Sequence, residues 1–482
     1  MDILKGLQPE AVMTYFEALT RIPRGSGNEK AVSDYLVTFA NEHGLDVIQE
    51  PCNNIIIKKS GTAGYESAKT VILQGHMDIV CVKEDGLEFD FEKDPIPLVV
   101  DGDYIRTKGT TLGADNGIAV AMTMAILAST DIPHPPLVGL VTVDEEAGMG
   151  GVMALDSENL SGDILINIDS EEEGVALSSC AGGVRSALKV PVAYENVPTE
   201  FKTYQVVVSH LKGGHSGIEI NRNRGNAVKL LGRVLETLNA GTEFKLGNVS
   251  GGDKMNAIAK YVEADVAVSE KDIPQFEAIL SEMDAQFKNE FSLSDPEVCV
   301  SATVKEIQNI FDEPSKNSVV SAMRLIPFGP QTMSEGIPGL VESSTNVGVL
   351  STADGEVILE SAIRSSVRTL KDEISDRISM IGTLVGGTQV LTSAYPEWAF
   401  KPESPVRELM KDVYRDLTGE ELKIDAIHAG LECGFLKEKV GDIDMISIGP
   451  NMADVHTPNE HVSISSVERV YKFLLEVLKR MQ

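Results

Sequence analysis

The chain has 482 residues, 42% hydrophobic and 24% charged, more than one hydrophobic core usually organises, so it reads as a globular protein of two or three domains. Its 73 acidic against 42 basic residues leave a formal charge of −31, which repels phosphate backbones and anionic lipid headgroups and excludes nucleic acid or a membrane surface as the expected partner. Small zwitterions and cations remain acceptable ligands. The opening Met1-Asp2-Ile3-Leu4-Lys5-Gly6 lacks a basic stretch followed by an apolar core, no transmembrane stretch follows, and a cytoplasmic location is expected. Five widely spaced cysteines without a CxxC pair suit reduced, mostly buried thiols better than a disulfide framework or a thiolate metal site.

Apolar residues at helical spacing predict helices over 9–20 and 29–43, and β-branched runs predict strands at 54–57 and 70–73. The second strand runs on into Gln74-Gly75-His76-Met77-Asp78. His76 therefore falls at a strand's carboxyl end, where α/β folds place their sites, with Asp78 close enough to orient the imidazole. Gly113-Ala114-Asp115-Asn116-Gly117 then sets an aspartate in a glycine-flanked turn, just as an apolar helix over 112–130 begins. A carboxylate there can cap the helix or bridge two ions. The stretch lacks the GK[ST] ending of a phosphate loop, which removes nucleotide binding. An apolar strand over 137–143 runs into Asp144-Glu145-Glu146, and three successive acids repel one another unless water or cations neutralise them. A strand over 164–168 ends in Asp169, and Glu171-Glu172-Glu173 behind it are expected to be solvated.

The character changes after the glycine-containing joint Cys180-Ala181-Gly182-Gly183. A strand over 204–208, a glycine-rich turn, a helix over 226–238 and a strand over 257–268 are expected, and the strand-then-helix order recurs at 357–367 and 372–384. Two β-α-β half-units would make one inserted α+β domain. After Pro396 the first pattern returns, with a helix over 405–417, strands near 423–428 and 445–448, and a last helix over 465–480. His456 lies in the loop Gly449 to Glu460, and an insertion of roughly 200 residues explains why it arrives so late.

Two imidazoles, His76 and His456, and three carboxylates, Asp115, Glu146 and Asp169, form an N/O donor set suited to two divalent metal ions, zinc first, with cobalt or manganese as alternatives. A pair of such ions roughly 3.5–4 Å apart supports hydrolysis by a shared water, for which Glu145 would be the general base. Asp144 beside it would raise the pKa of that base.

Together these segments resemble the aminoacylase and carboxypeptidase family of di-zinc peptidases and, within it, the aminoacyl-histidine dipeptidases. The likeness extends to Arg106-x-Lys108-Gly109-Thr110-Thr111, Asp169-Ser170-Glu171-Glu172-Glu173-Gly174, Leu211-Lys212-Gly213-Gly214-His215-Ser216-Gly217 and His428-Ala429-Gly430-Leu431-Glu432-Cys433-Gly434. It implies an α/β fold: a di-zinc peptidase catalytic domain (1–185 and 395–482) with a mixed central sheet flanked by helices. An inserted α+β lid domain (186–394) of ferredoxin-like β-α-β units interrupts it. It further implies Asp115 bridging the metals, His76 and Asp169 on one and Glu146 and His456 on the other, and a cis peptide between Asp115 and Asn116. His215 would reach the scissile carbonyl oxygen, while Asn256, Arg364 and Gly430 would bind the substrate. The implied substrate is a small unblocked dipeptide of the Xaa-His type and the implied assembly a homodimer through the lid; the alternatives are an amidohydrolase of the same architecture acting on N-acyl or carbamoyl compounds and a non-catalytic peptide-binding protein. Gly75 stands where alanine is more usual in the family, and Asp144 where a hydroxyl residue is.

Overall fold

The computed structural model describes residues 3–482, which divide into two compact units. The first comprises residues 3–179, 400–426 and 431–482, and the second residues 180–399 and 427–430. Among the described residues no helix is long and apolar enough to cross a membrane. Of the five cysteines only Cys180 and Cys433 are buried and Cys81 is exposed, so the expectation of mostly buried thiols is too simple.

The first unit is built on an eight-stranded mixed sheet. Its centre is four parallel strands in the order Leu137–Thr142, Val71–His76, Ile164–Asn167 and Asp444–Ser447. The first three of these are buried along their whole length, which is why they read as unbroken apolar runs rather than alternating ones. Register holds their carboxyl ends level: His76 pairs with Thr142, Gln74 with Asn167 and Asn167 with Ser447. Whatever follows these residues is therefore delivered to one edge.

The helix Ala114–Ala128 is buried almost all round, with Ile118, Val120, Met122, Met124, Ile126 and Leu127 in the core. Each such side chain contributes roughly 1.5–3 kcal/mol on burial, enough to hold the glycine-rich turn that starts this helix against the sheet. The late segment is tied in by a small four-stranded sheet in which His461–Ser463 lies between Met452–Ala453 and Tyr104–Arg106. Asp103 accepts hydrogen bonds from the hydroxyls of Ser463 and Ser465, at 2.6 and 2.7 Å, which anchors the loop bearing His456.

The second unit is built on a nine-stranded sheet whose assigned pairings are all antiparallel, beside a two-stranded sheet of Tyr194–Asn196 and Asn309–Phe311. The two half-units expected from sequence share the larger sheet, meeting where Gly251 pairs with Leu350. The helices Ala227–Gly241, Ile273–Glu290, Glu313–Leu325 and Arg368–Leu384 bury residues into the same core as the sheet. Two of these helices, 273–290 and 313–325, and the strand Val341–Ala353 have no counterpart in the sequence reading. The strand reads Val-Glu-Ser-Ser-Thr-Asn-Val-Gly-Val-Leu-Ser-Thr-Ala, whose hydroxyl and amide residues mask the strand period although six in a row are buried. The strand expected over 257–268 begins only at Val262, because Ala257 bridges to His215 and the Ala259 carbonyl accepts the Ala227 N–H.

Lys229 shows how this core stays closed. Its ammonium donates to the carbonyls of Met323, Arg324 and Ile326 at 2.8, 2.7 and 2.5 Å, satisfying the end of the helix Glu313–Leu325. Lys229→Met keeps the aliphatic stem and removes the donor, so it should destabilise the protein by ~1–3 kcal/mol, read as a lower denaturant midpoint at unchanged slope.

Candidate metal centre

The four central parallel strands of the first unit lead into the titratable side chains of the site. His76 closes its strand, Glu145 and Glu146 open the short helix Glu145–Gly148 after Thr142, Asp169 follows Asn167, and His456 lies in the loop after Ser447. The Asp115 carboxylate joins them, with Oδ1 3.1 Å from His76 Nε2 and Oδ2 3.2 Å from His456 Nε2. Asp169 Oδ1 is 3.5 Å from His76 Nε2, and Glu146 Oε1 is 2.9 Å from His456 Nε2.

These separations define two donor groups sharing Asp115. Ligand atoms 2.0–2.2 Å from a tetrahedral ion are about 3.3–3.6 Å from one another, so N and O atoms 2.9–3.5 Å apart lie close to the edges of such a polyhedron. His76, Asp115 and Glu146 can also each offer an atom within 4.8 Å of the other two. The donor set suits divalent cations, with no soft sulfur ligand.

The imidazoles are prepared for this. His76 Nδ1 lies 3.1 Å from the Asp78 main-chain carbonyl and 3.5 Å from the Asp78 carboxylate, which leaves Nε2 as the acceptor. Asp78 also accepts the Ser26 hydroxyl at 2.8 Å and the N–H groups of Glu145 and Glu146 at 3.1 and 3.2 Å. One carboxylate thus fixes both the histidine and the turn presenting the two glutamates.

Electrostatics show how costly the arrangement is. Glu145 is pushed up to about 9, first by burial and then by Asp169, Glu432 and Glu146, with His76 pulling the other way. Asp144, expected from sequence to drive that shift, instead adopts a left-handed conformation (φ 55°), its carboxylate packed beside Gly150. Burial, with Asp115 and Glu146, likewise raises Asp169 to about 6 against the pull of His76. His456 is raised to about 10 by its hydrogen bonds to Asp115 and Glu146. Glu171 is exposed, as expected, yet desolvation of its carboxyl, with Asp115 and Asp169, pushes it up to about 7. Glu173, expected to be solvated, is instead paired with Arg469 at 2.6 and 2.7 Å.

Three supporting residues escaped the sequence reading. Glu460 is buried and accepts the backbone N–H groups of Leu112, Gly113, Ala114 and Asp115 at 2.8 to 3.4 Å, so it holds the Asp115 turn from beneath. Arg24, 2% exposed, donates to the carbonyls of Met77 and Gly113 at 2.8 and 2.7 Å, tying the His76 strand to the same turn. A Cβ on Gly113 or Gly117 would lie 2.8 or 2.5 Å from its guanidinium, which explains two glycines of the turn. Glu432 is fully buried and accepts from Gln74 and Thr142 at 2.6 and 2.8 Å, and burial raises it to about 7. Glycine at 75 also has a local reason: a Cβ there would be 2.3 Å from Asn116 Oδ1, which accepts the His76 N–H at 3.3 Å. The Asp115–Asn116 peptide is cis.

The remaining expected residues lie in the second unit. The His215 Nδ1 accepts N–H groups from Gly217 and Ile218 at 3.2 and 3.3 Å, which places the ring proton on Nε2 and leaves that nitrogen a donor. Burial and Arg364 lower its pKa, so the ring is a neutral donor. Asn256 is joined to this turn through its carbonyl, which accepts the Ser216 N–H at 2.9 Å. Asn256 and Arg364 line one cavity of ≈ 460 Å³, and Gly430 sits two residues after the buried His428.

Two outcomes follow. A carboxyl whose folded pKa lies above its unfolded value near 4 keeps a proton that the unfolded chain has released. Its stabilising effect is complete below that value and is lost as pH rises through the folded pKa. Asp169, Glu171, Glu432 and Glu145, raised to about 6, 7, 7 and 9, all act in that sense, as does His456 raised to about 10. The Tm of chelator-stripped protein should therefore fall steadily from pH 5 to pH 9 in calorimetry, and saturating zinc should flatten the slope. Glu460→Ala should weaken metal binding ~10–100-fold in isothermal titration, because the Asp115 turn loses the carboxylate that holds its four N–H groups.

The model of peptidase family M20/M25/M40 matches residues 72–480. The chain is 37% identical over 484 residues, 100% of its own length and 99% of the relative's, to the cytosol non-specific dipeptidase of Escherichia coli (strain K12). It is similar to the solved aminoacylhistidine dipeptidase from Vibrio alginolyticus, with TM-score 0.96 and 35% identity over 99% of this chain and 98% of that one. A tripeptidase from Staphylococcus aureus shares the fold at TM-score 0.55 and 17% identity. With most of its length matched by the family model and a relative aligned end to end, the chain belongs to peptidase family M20/M25/M40.

Proposed function

We propose that the chain hydrolyses the peptide bond of unblocked dipeptides, Xaa-His among them, with two divalent ions, zinc first, held by His76, Asp115, Glu146, Asp169 and His456. The observation that carries this reading is the Asp115 carboxylate, with one oxygen 3.1 Å from the His76 imidazole and the other 3.2 Å from that of His456. The ions, when bound, supply Lewis acidity at the scissile carbonyl and lower the pKa of the attacking water. Glu145 takes that water's proton and returns it to the leaving amine. Its raised pKa suits proton transfer near neutrality, and cations beside it lower that value toward the working range. Asp78 keeps the His76 tautomer and the Glu145 turn in place. His215, a neutral donor, supplies a hydrogen bond to the developing oxyanion, an effect worth ~2.7–4 kcal/mol in comparable sites. Asn256, Arg364 and Gly430 receive the carboxyl end of the substrate, the arginine fork being matched to a carboxylate.

Both full-length relatives bear dipeptidase names, which supports a dipeptide over an N-acyl or carbamoyl substrate. The name of the first supports a cytosolic location. The second unit is proposed as lid and dimer contact. Its strand Thr388–Tyr395 is an edge strand, with Val390 and Leu391 exposed, and Met380 and Leu384 are exposed on the helix Arg368–Leu384.

Chelator-stripped protein reloaded with zinc, cobalt or manganese should cleave alanyl-histidine and leave its N-acetylated form intact. Cleavage of the acetylated form alone would move the assignment to an acylase, and turnover of neither would leave a non-catalytic peptide binder. Glu145→Gln should lose ~10²–10⁴-fold in kcat while binding metal with unchanged stoichiometry.

A further inference from the structure

Strand register in the second unit lays out a row of residues that the reading above uses only in part. Ser344 is paired directly with Arg364, Arg364 with Gly183, and Gly183 with Tyr395, on four successive strands. Directly paired residues project to the same face with Cβ atoms roughly 4.5–5.5 Å apart. Here that face is opposite the one on which Ile363 and Val184 enter the helix-covered core. Gly183 is the gap in the row: a Cβ there would be 2.5 Å from the Tyr395 ring. The ring fills that space, and its hydroxyl lies 2.8 Å from Arg364 Nη1. Tyr395 thus positions one arm of the guanidinium and leaves Nε buried without a partner.

At the other end of the row the Ser344 hydroxyl lies 2.7 Å from His428 Nε2. His428 is 6% exposed and its Nδ1, like Arg364 Nε, has no partner. A buried polar atom left unpaired costs ~1–3 kcal/mol, so two of them on residues that flank Ser344, one paired with it and one hydrogen-bonded to it, mark a place where a ligand completes the bonding. Burial, with Arg364 and His215, pushes His428 down to about 3, so the ring stays neutral at working pH. A neutral imidazole is what this position tolerates, since a second cation beside Arg364 would be repelled. If Ser344 donates to Nε2, the ring proton sits on Nδ1 and becomes a donor beside the free edge of Arg364.

We propose that His428 is a specificity-determining residue that, with Arg364, seats the terminal carboxylate of the substrate. Nδ1–H of His428 and Nε–H of Arg364 each take a carboxylate oxygen, while Ser344 and Tyr395 act as positioning residues for the two. The inference rests on the dipeptidase reading and adds to it a second donor and the means by which both donors are oriented.

The test compares alanyl-histidine with alanyl-histidinamide, in which the carboxylate is a neutral amide, using metal-loaded wild type, His428→Ala, His428→Asn and Ser344→Ala. His428→Ala should raise KM for the acid about 10-fold or more with kcat changed less than about 3-fold, and leave KM for the amide unchanged. Asparagine places an amide nitrogen near the position of Nδ1, so His428→Asn should restore most of the loss and keeps the test valid if the alanine variant folds poorly. Ser344→Ala should fall between wild type and His428→Ala. Equal effects on acid and amide, or a fall in kcat with KM unchanged, would overturn the carboxylate seat while leaving the dipeptidase reading intact. A wild type that cleaves neither compound would overturn that reading and this proposal with it.

Discussion

The constraint on which the first unit depends is charge. Asp115, Glu145, Glu146, Asp169, Glu171 and Glu432 gather at the carboxyl edge of four parallel strands, where burial raises the cost of every negative charge. Left alone, such a cluster would keep protons or push itself apart. The protein manages it with two histidines drawn in as partners and with a fixed scaffold of opposite polarity. Four backbone N–H groups converge on Glu460, two more on Asp78, and the Arg24 guanidinium sits behind the Asp115 turn. A pair of divalent cations, as proposed above, would complete the balance and would account for acids and imidazoles in positions that a merely stable protein would fill with apolar residues.

Precision at the site therefore comes from residues that never touch a reacting atom. Asp115 can present one oxygen to each histidine only because its turn is held from below by Glu460 and from the side by Arg24, whose bulk requires glycine at 113 and 117. The same logic governs the second unit. His215 is made a donor at Nε2 by two backbone N–H groups on Nδ1, and Arg364 is held by Tyr395 across a glycine gap. In both units a neighbouring group, a backbone N–H pair on His215, the Tyr395 hydroxyl on Arg364 or the Glu460 carboxylate beneath Asp115, sets the tautomer or placement of the residue that would act.

The sequence was legible where chemistry and periodicity coincide. The apolar runs ending in His76, Glu146 and Asp169 are strand ends in the structure, and the glycine-flanked Asp115 does open a buried helix. It was least legible in polar elements. The strand Val341–Ala353 and the helix Glu313–Leu325 carry too many hydroxyl and charged groups to show their period, although both bury residues in the core. Acid runs were also misjudged: Glu173 is paired with Arg469, and Asp144 turns toward Gly150 rather than toward Glu145.

What the sequence by itself determined is the inventory: which donors exist, in what order, and that their residue types suit N/O coordination and hydrolysis. Those properties follow from residue type and from local apolar periodicity, both of which are written along the chain. Only the tertiary structure decided the pairings, since Glu460 reaches back 345 residues to the Asp115 N–H and Gln74 meets Glu432 across 358. Nothing local distinguishes a glutamate that will collect four backbone N–H groups from one that will sit in water. That difference arises when parallel strands are brought into register and the groups at their ends, buried together, must find partners.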